Sequence, residues 1–387
     1  MIARLLSVTC RAGLGLVLAA SGARLTAADV PSRAQVEGLI ASTTRWIIAQ
    51  QQPDGALVPG RLFPFGITEM ALVALAGQPM ALAADEHHMA LALTYINRQR
   101  QPDGGVYIAD EGLGNYTTSL ALMVWSATGT GEPAAVKHAQ EYLLGIQNTT
   151  PGDLGEGGIG YGDKGRGHED LSNTSYALEA LRASGVPAAD PHLQAALKFL
   201  ERCQDLSAVN KQPWVGTAGA VGGGAVYGPA DANGSWEKHD PTQAEKFTSS
   251  GTMTYSLISS YLTLDLAPED ERVKAALAWV RSAYQFEANP GMTAGKERQG
   301  LFHYYTLMAR TFARLKLKTF EVPGGRTVDW RADLFAAIVA RQQTTTLADG
   351  TTGTWWLNDE KRWLEGTAHL TTAYMLRALK AIAASVE

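Results

Sequence analysis

The sequence predicts an all-α chain, an (α/α)6 toroid of about six helix-pair repeats. Three observations predict it. From Gln35 onward one unit recurs: an amphipathic helix ending in Gln, a turn rich in Asp, Gly and Pro, then a more apolar helix with Ala-Leu pairs. The turns at Pro53, Pro102 and Pro151 fall at equal intervals. No first or last unit shows the polar outer face that an open stack requires, so a closed ring is expected rather than an open superhelix.

The elements follow in order. The first unit reads VEGLIASTTRWIIAQQQPDGAL, then ITEMALVALAG; the second MALALTYINRQRQPDGGVY, then YTTSLALMVWSATG. The third ends in the stretch HEDLSNTSYALEAL from His168 to Leu181, which joins a glycine-rich loop to an apolar helix. The fourth carries a long glycine-rich insertion around Lys211 to Lys246, with Trp214, Tyr227, Trp236 and His239; a loop this long reads either as a lid or binding loop or as a plain surface loop. The fifth and sixth second helices read LFHYYTLMARTFARL and TAHLTTAYMLRALKAI. Thr68, Thr118, Thr174 and Thr372 stand one turn before Leu72, Leu122, Leu178 and Leu376; Met253 and His303 take the same slot before Leu257 and Leu307. Helices apolar nearly all round belong inside, so the second helices form an inner layer, and Ala71, Ala121, Ala177 and Ser256 permit close approach. The first helices carry Lys137, Glu141, Lys198 and Glu201 on one face and form the solvated outer layer.

Composition bounds the function. The chain has 387 residues, 45% hydrophobic and 18% charged, with a net charge of −5. No basic surface argues for nucleic acid or an anionic membrane. Arg4 and Arg11 flank the apolar run Ala12 to Ala20, and small residues follow. Residues 1–28 read as a secretory signal cleaved after Ala23 or Ala28, leaving 29–387 as the toroid. The run is too short for a transmembrane helix, so the mature chain has none and is expected in the periplasm or outside the cell. Cleavage removes Cys10, and Cys203 alone cannot form an intramolecular disulfide.

The candidate site residues cluster at inner-helix entries. Glu169 and Asp170 stand just before an inner helix, where Asp170 or Ser172 caps its first turn. With His168, His303 and His369 they read either as an acid–base group across the cavity mouth or as helix caps and solvated charge. Tyr116, Tyr176, Tyr255, Tyr304, Tyr305 and Tyr374 are expected to make an aromatic cavity wall, which suits carbocations, sugars or lipids. Asn173 and His369 join them as candidate substrate-binding residues. Glu69 lies within the first inner helix, where a buried charge is costly unless paired. There is no HExxH, no G-x-S-x-G, no paired CxxC and no phosphate loop, so neither a metal nor a cofactor is expected.

The turns Gln50-Asp54-Gly55, Gln99-Asp103-Gly104 with Tyr107, Gln147 with Gly158 and Tyr161, Gln204 with Gly234 and Trp236, and Gln342-Asp349-Gly350 with Trp355 recur in register. They resemble the prenyltransferase and squalene-oxidase repeat of squalene–hopene cyclases and protein prenyltransferase β subunits. The resemblance implies a toroid with a central cavity lined by inner helices. In the cyclases a DxDDT motif supplies the initiating proton. Its nearest counterpart is Asp170 to Thr174, where Ser172 and Asn173 replace the last two aspartates. The prenyltransferase zinc ligands are missing too: no inner helix carries Cys, and Thr371 stands near the histidine position. The resemblance thus implies a terpenoid-cyclase-like protein, exported on the reading of residues 1–28, that binds, and as an isomerase would cyclise, a hydrophobic isoprenoid-type small molecule. The alternatives are a non-catalytic binding or scaffold protein and a polysaccharide-processing toroid enzyme.

Overall fold

The computed structural model describes residues 29–60, 63–76, 86–109, 111–162, 169–217, 219–229 and 247–386. The expected signal, His168, and Trp236 and His239 of the insertion lie outside the described residues.

The described chain is mostly α-helical, with twelve α-helices and two short hairpins. The even-numbered helices are α2 (Pro64–Ala76), α4 (Gly114–Thr128), α6 (Leu171–Ala183), α8 (Gly251–Thr263), α10 (Leu301–Arg314) and α12 (Ala368–Ala383). Each packs on the next, and α12 packs back on α2. The odd-numbered helices are α1 (Arg33–Ala49), α3 (Glu86–Asn97), α5 (Pro133–Gly145), α7 (Pro191–Cys203), α9 (Glu271–Ser282) and α11 (Trp330–Ala340). They flank the even set: α3 lies on α2, α5 on α4, α7 on α6, α9 on α8, α11 on α10 and α12, and α1 on α12. Burial follows the expected layering, since α8 and α12 are buried around nearly their whole circumference while α7 buries one face. One apolar core runs through all of these helices.

Recurrent polar contacts key the turns. Gln147 Nε2 donates to the Gly157 carbonyl of its own turn and to the His192 carbonyl at the start of the next odd helix, both at 2.8 Å. Gln51 does the same with Gly55 and His88, and Gln204 with Gly223 and Arg272. Gln51, not Gln50, is therefore the bonding glutamine of the first turn. Gly157 has φ +82°, and a Cβ there would lie 2.2 Å from the Ala195 carbonyl oxygen. Only glycine tolerates both the left-handed backbone and that approach.

The even-helix threonines close the same turns. The Leu57, Val106, Ile159 and Trp356 amides donate to the hydroxyls of Thr68, Thr118, Thr174 and Thr372. On α8 the acceptor is Thr254, which takes the Ala225 amide at 3.0 Å. The register expected through Met253 is thus shifted by one residue, because the buried amide selects the hydroxyl and not the leucine spacing. On α10 no threonine fills the slot. Tyr304 and Tyr305 donate instead to the carbonyls of Gln285 and Phe286, which frees His303 from that task.

The hairpins are the departure from an all-helical reading. β1 (Thr319–Val322) pairs antiparallel with β2 (Arg326–Asp329) between α10 and α11, and β3 (Gln343–Thr346) pairs with β4 (Thr352–Trp355) before α12. Gly324 and Gly325 supply positive φ for the first turn. The Thr-rich TTT run suits the second strand pair.

Candidate functional site

The N-terminal ends of the even helices surround a cavity of about 260 Å³. Tyr116 comes from α4, Asn173 and Tyr176 from α6, Met253 from α8, His303 from α10, and Leu370 and Tyr374 from α12. Loops add Tyr161, Tyr227, Asn289, Trp363 and Glu365. Much of the lining is hydrocarbon and aromatic ring.

The rings touch in a chain. Tyr116 meets Tyr176 edge-on at 4.9 Å, while His303 stacks on Tyr374 at 5.0 Å and lies parallel to Tyr176 at 6.3 Å. The Tyr116 hydroxyl bonds with those of Tyr374 and Tyr176. Burial pushes the three phenols up, so they stay neutral. Burial, reinforced by the Arg377 and Arg310 charges, pushes the His303 imidazole down to about 3. The cavity wall is therefore uncharged at neutral pH, with polarisable faces.

Glu365 is the exception, and the sequence did not single it out. It is 1% exposed, and it lines the cavity. Its carboxyl accepts the His303 amide at 2.8 Å, the Phe302 amide at 3.4 Å and Asn358 Nδ2 at 2.5 Å. Burial pushes it up to about 7, although these donors pull the other way. Glu365 thus caps α10 from another segment and holds or releases a proton near neutrality. The preceding turn is strained: Trp363 and Leu364 are left-handed at φ 53° and 63°. Both line the cavity.

Asp170 sits one layer back. It is 2% exposed and caps α6, accepting the Asn173 amide and Asn173 Nδ2, both at 2.7 Å. The Tyr227 hydroxyl bonds to Asp170 and to the Tyr161 hydroxyl, at 3.1 Å in the second case. Asn173, Tyr161 and Tyr227 line the cavity; Asp170 does not. Glu169 turns away and accepts Asn148 Nδ2 at 3.1 Å.

Of the other expected residues, Tyr116, Asn173, Tyr176, His303 and Tyr374 meet at the cavity. Tyr304 and Tyr305 face outward to the Gln285 and Phe286 carbonyls, and Tyr255 packs between Tyr304 and Phe312. His369 lies against Trp46, with ring centroids 4.9 Å apart and the planes tilted by 42°, and burial pushes it down to about 4. Glu69 is fully buried away from the cavity lining, with neither oxygen hydrogen-bonded; burial, then Glu111, pushes it well up, which favours its protonated form. Tyr227 connects the insertion to the wall, while Trp214 stacks on Phe247 in a separate small core. Among the described residues no group of acidic, histidine and cysteine side chains is arranged to hold a metal ion. No helix among them is long and apolar enough to cross a membrane.

The fold is terpenoid-cyclase-like. The chain is similar to the type II terpene cyclase MstE from Scytonema, at 15% identity and a TM-score of 0.55, over 92% of this chain and 100% of that one. A variant of MstE in complex with the substrate geranylgeranyl dihydroxybenzoate matches at 14% identity and a TM-score of 0.54, over 92% of this chain and 99% of that one. A protein from Actinoplanes matches at 17% identity and a TM-score of 0.52, over 90% and 99%. No family model matches the sequence, and no curated protein matches it.

Proposed function

We propose that this chain is an exported (α/α)6 toroid that binds a hydrophobic isoprenoid-type molecule in the aromatic cavity and cyclises it by proton transfer. The observation that carries this reading is Glu365, a buried carboxyl pushed up to about 7 that faces the cavity. A carboxyl held protonated near neutrality is a general acid. Its proton adds to a terminal alkene carbon of the substrate, whose π pair forms the new C–H bond. The resulting cation is attacked by an internal alkene, and loss of a C–H proton to the carboxylate restores the acid. The sum is an isomerisation without oxidant or reductant. The faces of Tyr116, Tyr176 and Tyr374 and the neutral His303 ring stabilise the cation by cation–π attraction. The cyclase neighbour with geranylgeranyl dihydroxybenzoate supports an isoprenoid occupant.

A binding protein without turnover is the second reading. It is favoured by Asp170, the residue matching the cyclase acid motif, being committed to Asn173 and Tyr227. The test is incubation of purified protein with geranylgeranyl-bearing phenols and free isoprenoid alcohols, followed by mass spectrometry and chromatography. An isomeric cyclised product is expected. Tight binding without product would select the second reading, and capture of oligosaccharide instead would overturn both.

A further inference from the structure

A second cavity, of about 550 Å³, opens at the other ends of the same helices. Its charged lining groups are Arg310 and Arg314 of α10, Arg377 and Lys380 of α12, and Glu179 of α6. Among the described residues, the three guanidinium groups and the Lys380 ammonium face the Glu179 carboxylate. Glu179 bridges Arg310 and Arg377. Arg314 donates to the Ser259 and Leu262 carbonyls and the Thr263 hydroxyl, and Lys380 to the Leu75 carbonyl at 2.7 Å. Arg182, on the next turn of α6, pairs with Asp265.

Among the described residues these contacts leave the three guanidinium groups with one lining carboxylate between them. The even helices end here with partial negative charge, yet the odd helices that follow them begin here with partial positive charge, and the two offset. The Arg377 guanidinium is more than nine-tenths buried, and its Nη1 meets the Met70 thioether sulfur at 3.5 Å, a weak acceptor. Burial, then repulsion from Arg310, pushes Arg377 down, and burial pushes Lys380 down to about 8. An anion entering this cavity would offset the burial and mutual repulsion of these cations.

We propose that this cavity binds a small phosphate-class oxyanion, gripped by Arg310 and Arg377 with Arg314 and Lys380 adding charge. Two guanidinium forks and an ammonium match the geometry and charge of phosphate oxygens. The proposal stands apart from the reading of the aromatic cavity.

The test is thermal unfolding of the full chain titrated with inorganic phosphate, inorganic diphosphate or acetate, at ionic strength fixed with sodium chloride. Phosphate or diphosphate should raise the unfolding temperature saturably, as mass action requires. Arg310→Gln should weaken phosphate binding about tenfold or more, the cost of one charge-assisted contact. Glu179→Gln should tighten it, because two guanidinium groups are released. Should Arg310→Gln fail to fold, Lys380→Met and phosphorus NMR line broadening of the unaltered protein give the same reading. No rise beyond the chloride control overturns the proposal. An equal response to acetate overturns the phosphate class, and unchanged affinity in both cation variants overturns the location.

Discussion

Near their N-terminal ends, α6, α10 and α12 present Tyr176, His303 and Tyr374 to the aromatic cavity. One or two turns later the same helices present Glu179, Arg310 and Arg377 to the cationic one. These spacings place both sets on one helix face. The two ends treat their carboxyl groups in opposite ways. At the aromatic end burial meets no full counter-charge, so His303 falls to about 3 and Glu365 rises to about 7, and each favours its neutral form. At the cationic end burial pushes Glu179 up, but Arg310 and Arg377 outweigh it and hold the carboxyl at about 2. Burial alone neutralises a group; burial beside opposite charge keeps it ionised.

The sharpest way to separate the two ends is Glu365→Gln. Turnover of an isoprenoid substrate should fall about 10²–10⁴-fold, the usual contribution of a general acid. The helical circular dichroism should be unchanged. Retained turnover would place the acid elsewhere.

The corresponding change at the cationic end acts on stability. Glu179→Gln leaves Arg377 buried without its carboxylate and should cost about 2–3 kcal/mol, less than for a fully buried pair because Glu179 is partly exposed. Urea unfolding measures the cost, and ligand uptake by the aromatic cavity should be unaltered.

The pH dependence tests the neutral end directly. The folded Glu365 pKa lies above its unfolded value of 4.5, so its contribution is full below 4.5 and is lost as pH rises through 7. His303 is lowered, so its contribution is present above 6.5 and is lost as pH falls toward 3. Between about pH 5 and 7 the two oppose each other, each by about 2 kcal/mol. Glu365→Gln removes one side. The variant should therefore lose about 2 kcal/mol more than the parent on moving from pH 7.5 to 5, read by urea unfolding at both. Parallel pH profiles would refute the assignment.

The smallest effect belongs to Asp170. Asp170→Asn keeps the acceptor for the Asn173 amide but turns an NH2 toward Asn173 Nδ2, so it should cost about 1–2 kcal/mol, and Asp170→Ala at least as much. A variant Asp170→Asn that folds normally and loses all turnover would move the acid from Glu365 to Asp170.

The inner layer was legible because its signals are local. Thr68, Thr118, Thr174 and Thr372 repeat a hydroxyl that the turn amides need, and the apolar helices around them can only be interior. Tyr116, Tyr176, His303 and Tyr374 followed from that register. Tyr304 and Tyr305 did not, because sequence cannot show that α10 lacks the threonine and uses tyrosine in its place. Glu365 does not stand out in the sequence because WLEGT reads as an ordinary polar turn. The available signal was position, since Glu365 precedes α12 much as Asp170 precedes α6. What set it apart, its burial against the start of α10, is a contact between residues far apart in the chain.

The packing of α12 against both α2 and α1 fixes the order in which this molecule can be assembled. Ser42 of α1 accepts a hydrogen bond from Thr354, and Lys380 of α12 reaches the Leu75 carbonyl of α2, so partners lie some three hundred residues apart. During synthesis α1 and α2 emerge first and their final neighbours last. Such high contact order slows folding, because loop closure must be paid for before the contacts form. Until α12 arrives, apolar faces of α1, α2 and α10 stay uncovered and prone to aggregation. A C-terminal truncation within α12 would therefore leave a chain with two open edges, not a smaller version of the same protein.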